Sequence, residues 1–154
     1  MGRSSASPRS VAAAVAFVVA LAFLGLVAAP AGATTDLRSQ MYRATNASRV
    51  SRDLHRLDLN VSMSDLARRH SLAMARAGEL YHTRSPADFY LRGVRWSKWG
   101  ENVGKTTGSI AELQDAFMAS TDHRHNILDR AFDKVAIGAI RRDGTTWVTV
   151  FFYG

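Results

Sequence analysis

Three separated segments hold the side chains of this chain best suited to chemistry: His82, the triplet Gly100-Glu101-Asn102, and the run Ser120-Thr121-Asp122-His123-Arg124-His125-Asn126-Ile127-Leu128. Imidazoles and carboxylates ligate divalent metals through nitrogen and oxygen, and they also serve as acids and bases near neutral pH. Brought to one pocket, two imidazoles and a carboxylate can hold a metal ion with water in the fourth position, or work as an acid and a base. Each residue also has a structural use. Glu101 and Asn102 can brace backbone N–H groups in a tight turn. His82 can sit at a helix end, where the dipole favours it. His123 and His125 are two apart and point in different directions on a helix, so spacing does not choose between them.

The rest of the sequence narrows the chemistry. There is no cysteine, which excludes thiol nucleophiles and thiolate metal sites; any metal must be held by His, Asp or Glu. No HExxH helix, nucleophile elbow or Gly-rich phosphate loop is present. The net charge of +7 is spread out: Arg38, Arg43, Arg49, Arg52 and Arg56 recur at near-helical intervals among Asp36, Asp53 and Asp58. That pattern reads as a solvated basic surface with weak attraction to anionic envelope polymers, and no nucleic-acid role is expected.

Elements that position these residues follow from periodicity and caps. Asp36 can cap a first helix whose Leu37, Met41, Ala44, Ala47, Leu54 and Leu57 share a face, ending in a loop at 57–60. Ser62-Met63-Ser64-Asp65 has capping-box spacing and opens a second helix to about Leu80, just before His82. Residues 83–98 lack periodicity and read as a long loop that can partly cover a site; Trp96 and Trp99 can line it, though such aromatics more often pack against the core. Trp99 to Val103 reads as extended. Ser109-Ile110-Ala111-Glu112 is another capping box, opening a helix with Leu113, Ala116 and Phe117 inward. Lys134 to Arg141 and Thr145 to Tyr153, around Asp143-Gly144, predict a C-terminal β-hairpin. Helices first and paired strands last give an α+β domain.

Residues 1–33 are set apart. Arg3 and Arg9, the apolar run Val11–Ala29 and the Ala31-Gly32-Ala33 cleavage pattern predict a secretory signal peptide, leaving a domain at 34–154; an uncleaved N-terminal membrane anchor is the alternative.

Several motifs in order resemble one family. They are Asn46-Ala47-Ser48-Arg49, the A-x-x-H-S-x-x-M-A pattern of Ala67 to Ala75, His82, Gly100-Glu101-Asn102-Val103, and Phe117-Met118-Ala119-Ser120 followed by His123-Arg124-His125-Asn126-Ile127-Leu128. The chain is similar to the CAP superfamily (cysteine-rich secretory proteins, antigen 5, pathogenesis-related group 1), and most of all to its cysteine-free bacterial-type members. The resemblance implies a three-layer α-β-α sandwich with a central cleft. It also implies a tetrad of two His and two Glu, which in some members binds zinc or another divalent cation. His82, Glu101 and His123 match three of the four, and the resemblance selects His123 over His125. Ser120 stands at the second glutamate, so a negative charge and a candidate base are lost. A serine–histidine reading of Ser120 and His123 is disfavoured because Ser120 occupies a carboxylate position.

The expectation is a secreted, monomeric binding module. His82, Glu101 and His123 would hold Zn²⁺ or another divalent cation, or a cell-envelope or lipid ligand, with Asn102, Ser120 and Asn126 behind them. Alternatives are a metal-assisted, peptidase-like hydrolase acting outside the cell and a purely structural or interaction module.

Overall fold

The computed structural model describes residues 33–154, with side chains from Leu37 onward. The signal-peptide reading therefore lies outside the described residues. Five helices and four strands follow in the order α1 (Ala33–Val50), β1 (Asp58–Leu59), α2 (Val61–Ala77), α3 (Pro86–Tyr90), β2 (Trp99–Thr106), α4 (Ile110–Ala119), α5 (Thr121–Leu128), β3 (Lys134–Arg142) and β4 (Thr145–Tyr153). The strands form one mixed sheet in the order β1-β3-β4-β2, with β1 parallel to β3 and the remaining pairs antiparallel.

Strand alternation splits the core into two layers. Val135, Ile137 and Ala139 of β3, with Val148, Val150 and Phe152 of β4, meet Met41, Leu113, Phe117 and Ile127 from α1, α4 and α5. The intervening residues Ala136, Phe151 and Tyr153 turn the other way, to Met63 and Ala67 of α2 and to Tyr90. A period of two places successive side chains on opposite faces, and here each face has its own helices. The predicted α-β-α sandwich and its C-terminal hairpin are both present. Gly138 allows the tight approach of α2: a Cβ there would lie 2.1 Å from the Ala67 carbonyl carbon.

Local signals held where nothing tertiary competed with them. Ser109 and Glu112 form the reciprocal capping box of α4. Asp143 and Gly144 both take positive φ, 49° and 75°, as a tight type I′ hairpin turn needs. Elsewhere packing prevailed. The α2 cap is Asn60, whose side chain accepts from Met63 N–H, and not Ser62. Ser64 instead turns inward, donating to Asn60 O and accepting from Ile137 N–H. That helix ends at Gly78, and its predicted reach to Leu80 is too long. The first helix begins before Asp36 and stops at Val50, after which Asp53 reverses the chain with a positive φ of 57°. The long loop contains α3, and β2 runs on to Thr106. The two-residue β1 and the separate helix α5 had no periodic signal of their own.

Candidate functional site

The site is built around β2, an edge strand, so alternate side chains leave it toward different helix layers. Glu101 points toward the α2–α3 side and Asn102 toward α5. Glycine between Trp99 and Glu101 lets Asn126 close on the strand: a Cβ at Gly100 would lie 2.6 Å from Asn126 Oδ1 and would displace that amide.

On the first side, the Glu101 side chain is 1% exposed while the His82 side chain is 62% exposed. Glu101 Oε1 accepts from Thr83 N–H at 2.8 Å, and Oε2 accepts from Thr83 Oγ1 at 2.6 Å. His82 Nδ1 lies 2.9 Å from Oε1. A carboxylate already accepting two hydrogen bonds takes the Nδ1–H of the imidazole as a third, which fixes the tautomer and leaves Nε2 free. Beneath them Tyr90 stacks on Phe151, with centroids 4.1 Å apart. Burial pushes the Tyr90 hydroxyl pKa up, the Thr83 hydrogen bond opposes this, and Glu101 adds to the rise.

On the second side, Asn102 is fully buried. Its Nδ2 donates to the His123 carbonyl at 3.0 Å, and its Oδ1 accepts from Asn126 Nδ2 at 2.9 Å. Asn126 Nδ2 also donates to Glu101 O at 3.2 Å. These bonds dock α5 on the edge of the sheet. The His123 ring rests on Phe117 at 4.9 Å. Its pKa is lowered by burial first and by the nearby His82 second, with Asp122 opposing. A depression of ≈ 400 Å³ opens beside His82, lined by His82, Thr83, Pro86, Trp99, Gly100, Glu101 and Asn126.

Among the described residues, no three His, Asp or Glu side chains are grouped to hold a metal ion between them. Strand alternation accounts for this: Glu101 and α5 lie on opposite sides of β2, and both Glu101 oxygens are occupied. On this side of the strand the His82 imidazole, backed by Glu101, keeps one ring nitrogen for a ligand. Ser120 is the junction of α4 and α5; its N–H bonds to Ala116 O and its side chain makes no cap bond. His125 is exposed on the outer face of α5, its side chain 73% accessible. Trp99 lines the depression, whereas Trp96 is an exposed loop residue.

Two further histidines bond backbone carbonyls. His70 is buried, with Nε2 2.8 Å from Tyr81 O and its ring edge-on to Tyr81. His55 lies after α1, not on it, with Nε2 2.9 Å from Phe132 O. A larger correction concerns Arg49, read as part of a solvated basic face. It is 0% exposed and donates to the carbonyls of His55, Ile127, Asp129 and Phe132. Asn46 sits beside it, bonding both the N–H and the carbonyl of Leu57. Their N-x-x-R spacing, one turn of helix on one face, was the available signal.

The model of the CAP, or cysteine-rich secretory protein, family matches residues 42–153. The uncharacterized protein YkwD of Bacillus subtilis (strain 168) is 30% identical over 112 residues, which are 70% of this chain and 43% of that protein. The chain thus spans less than half the length of that relative. Among solved structures, an extracellular protein containing an SCP domain from Bacillus anthracis str. Ames has a TM-score of 0.66 at 25% identity, covering 78% of this chain and 41% of that one. An outer surface protein of Borrelia burgdorferi has a TM-score of 0.65 at 17% identity, covering 77% and 94%.

Proposed function

Because this chain belongs to the cysteine-rich secretory protein (CAP) family, we propose that it is an extracytoplasmic binding module whose ligand is gripped by the imidazoles of His82 and His123. The observation that carries this is the 2.9 Å contact from His82 Nδ1 to a buried Glu101 carboxylate. A carboxylate on one ring nitrogen orients the imidazole and leaves the other nitrogen to a ligand. The predicted export signal, and relatives described as extracellular or outer-surface proteins, support a location outside the cytoplasm.

Zn²⁺ or another divalent cation is the simplest ligand for such a pair. His82 Nε2 and His123 would hold it, and it would supply a positive charge that anchors an oxygen of a larger ligand. With serine at position 120, protein ligands are few and the affinity is correspondingly modest. Hydrolysis is the weaker reading. Glu101 is spent on Thr83 and His82, so it is not free to act as a base toward water.

Calorimetric titration of Zn²⁺ into the purified chain tests the proposal. One-to-one binding, weakened at least tenfold by His82→Ala and by His123→Ala but not by His125→Ala, is expected. Equal losses in all three variants would reject the assignment, as would an absence of binding by the folded protein.

A further inference from the structure

A larger recess, ≈ 590 Å³, lies on the outer side of α5. Thr121, Arg124, His125 and Leu128 line it, and their spacing places them on one helical face. His123, Asn126 and Ile127 belong to the opposite face, toward the cleft and the core. The recess is completed by Arg130 and by the ion pair of Lys98 with Asp129.

Its charges do not cancel. Among the described residues, Asp129 is the only carboxylate lining the recess, and it is engaged: Oδ2 meets Lys98 Nζ and lies 3.8 Å from His125 Nε2, and Oδ1 accepts from Ala131 N–H at 2.9 Å. Arg124 Nη1 donates to Met118 O at 2.9 Å and to Ala119 O at 3.4 Å. Those carbonyls at the end of α4 hold the guanidinium in place, and its Nε and Nη2 have no partner among the described residues. Arg130 makes no hydrogen bond or ion pair among the described residues. Two guanidinium groups with unspent donors therefore stand over an apolar base at Leu128, and among the described residues lining the recess no further carboxylate neutralises them. A guanidinium held in place beforehand suits tetrahedral oxyanions, whose oxygens accept paired N–H donors.

We propose that this recess is an anion-binding site for a phosphate group carried by an extracytoplasmic ligand, with Arg124 and Arg130 as its principal contacts. The site is separate from the His82 cleft yet adjoins it, since Lys98 precedes Trp99 and His125 precedes Asn126 along the two walls. A phosphate-bearing chain can therefore occupy both. The proposal does not depend on the cleft binding a cation.

Titration of tripolyphosphate into the full chain, at fixed ionic strength, is the test. Saturable one-to-one binding should weaken about tenfold in Arg130→Gln, a variant that removes no internal bond and should keep its unfolding midpoint. His82→Ala should leave it unchanged, and so should Arg141→Gln at the far end of β3. Phosphatidylglycerol vesicles separate the sources. Arg130-dependent binding of both probes supports the site with a lipid headgroup as its ligand, and Arg130-dependent binding of tripolyphosphate alone supports it with a soluble or polymeric phosphate. No saturable binding, or equal weakening in Arg130→Gln and Arg141→Gln, overturns the proposal.

Discussion

Arg49 and His82 each set a basic side chain against oxygen acceptors, and the two clusters end in opposite states. Arg49 is sealed: it is 0% exposed, and its donors meet four backbone carbonyls from the segment after α1, the last turn of α5 and the segment that follows it. Burial lowers its pKa, with Asp129 opposing, yet an arginine stays charged. The His82 cluster is half sealed. Its carboxylate is buried and saturated, while its imidazole keeps one nitrogen toward an open depression. Both clusters lie in motifs that the sequence shares with the family, but only the His82 motif read as a candidate site. What separates them is unspent hydrogen-bonding capacity: the Arg49 cluster ties chain segments together, and the His82 cluster has something left to offer a ligand.

Substitutions can break or sharpen this contrast. Arg49→Ala should have the largest effect. It strands several buried carbonyls and loosens the segment around Asp129, for a loss of roughly 3–5 kcal/mol in urea unfolding. A loss below about 1 kcal/mol would mean that water replaces the guanidinium at little cost. Glu101→Ala comes next. It leaves the buried Thr83 N–H without an acceptor and should cost about 1–3 kcal/mol, whereas the exposed ring of His82→Ala should change stability by no more than about 0.5 kcal/mol. Equal destabilisation by these two would show that the imidazole is part of the scaffold.

The smallest effect is on pH dependence. The His123 pKa is lowered in the folded state from its ordinary 6.5, by burial and then by His82. Below that ordinary value the unfolded chain binds more protons than the folded one. Stability from this group is thus fully present above pH 6.5 and is lost as pH falls toward the lowered folded value. His123→Gln should flatten the fall in unfolding free energy between about pH 7 and 5. An unchanged slope would place the titrating group elsewhere.

Much of the fold could be read locally. The hairpin around Asp143-Gly144 and the Ser109–Glu112 cap rest on interactions within a few residues, and both are present. The α2 cap was misread because Ser64, apparently part of a capping box, is bonded instead to a strand some seventy residues later. The candidate site residues were legible by type and motif. Their roles were not: nothing in the spacing of Glu101 and Thr83 says that the carboxylate is consumed, and Arg49 looked like one more surface charge.

The sequence by itself determined which chemistry is available. It supplied imidazole, carboxylate and amide groups, no thiol, alternating strands that need helices on both faces, and motifs that place the chain in its family. Only the tertiary structure decided how those groups are spent. Strand β2 sends Glu101 and Asn102 to opposite sides, the pairing of segments far apart in the chain sets which oxygens are already taken, and burial determines which nitrogen still faces solvent. Hydrogen-bond saturation depends on neighbours distant in the chain, so it becomes fixed only when the layers close.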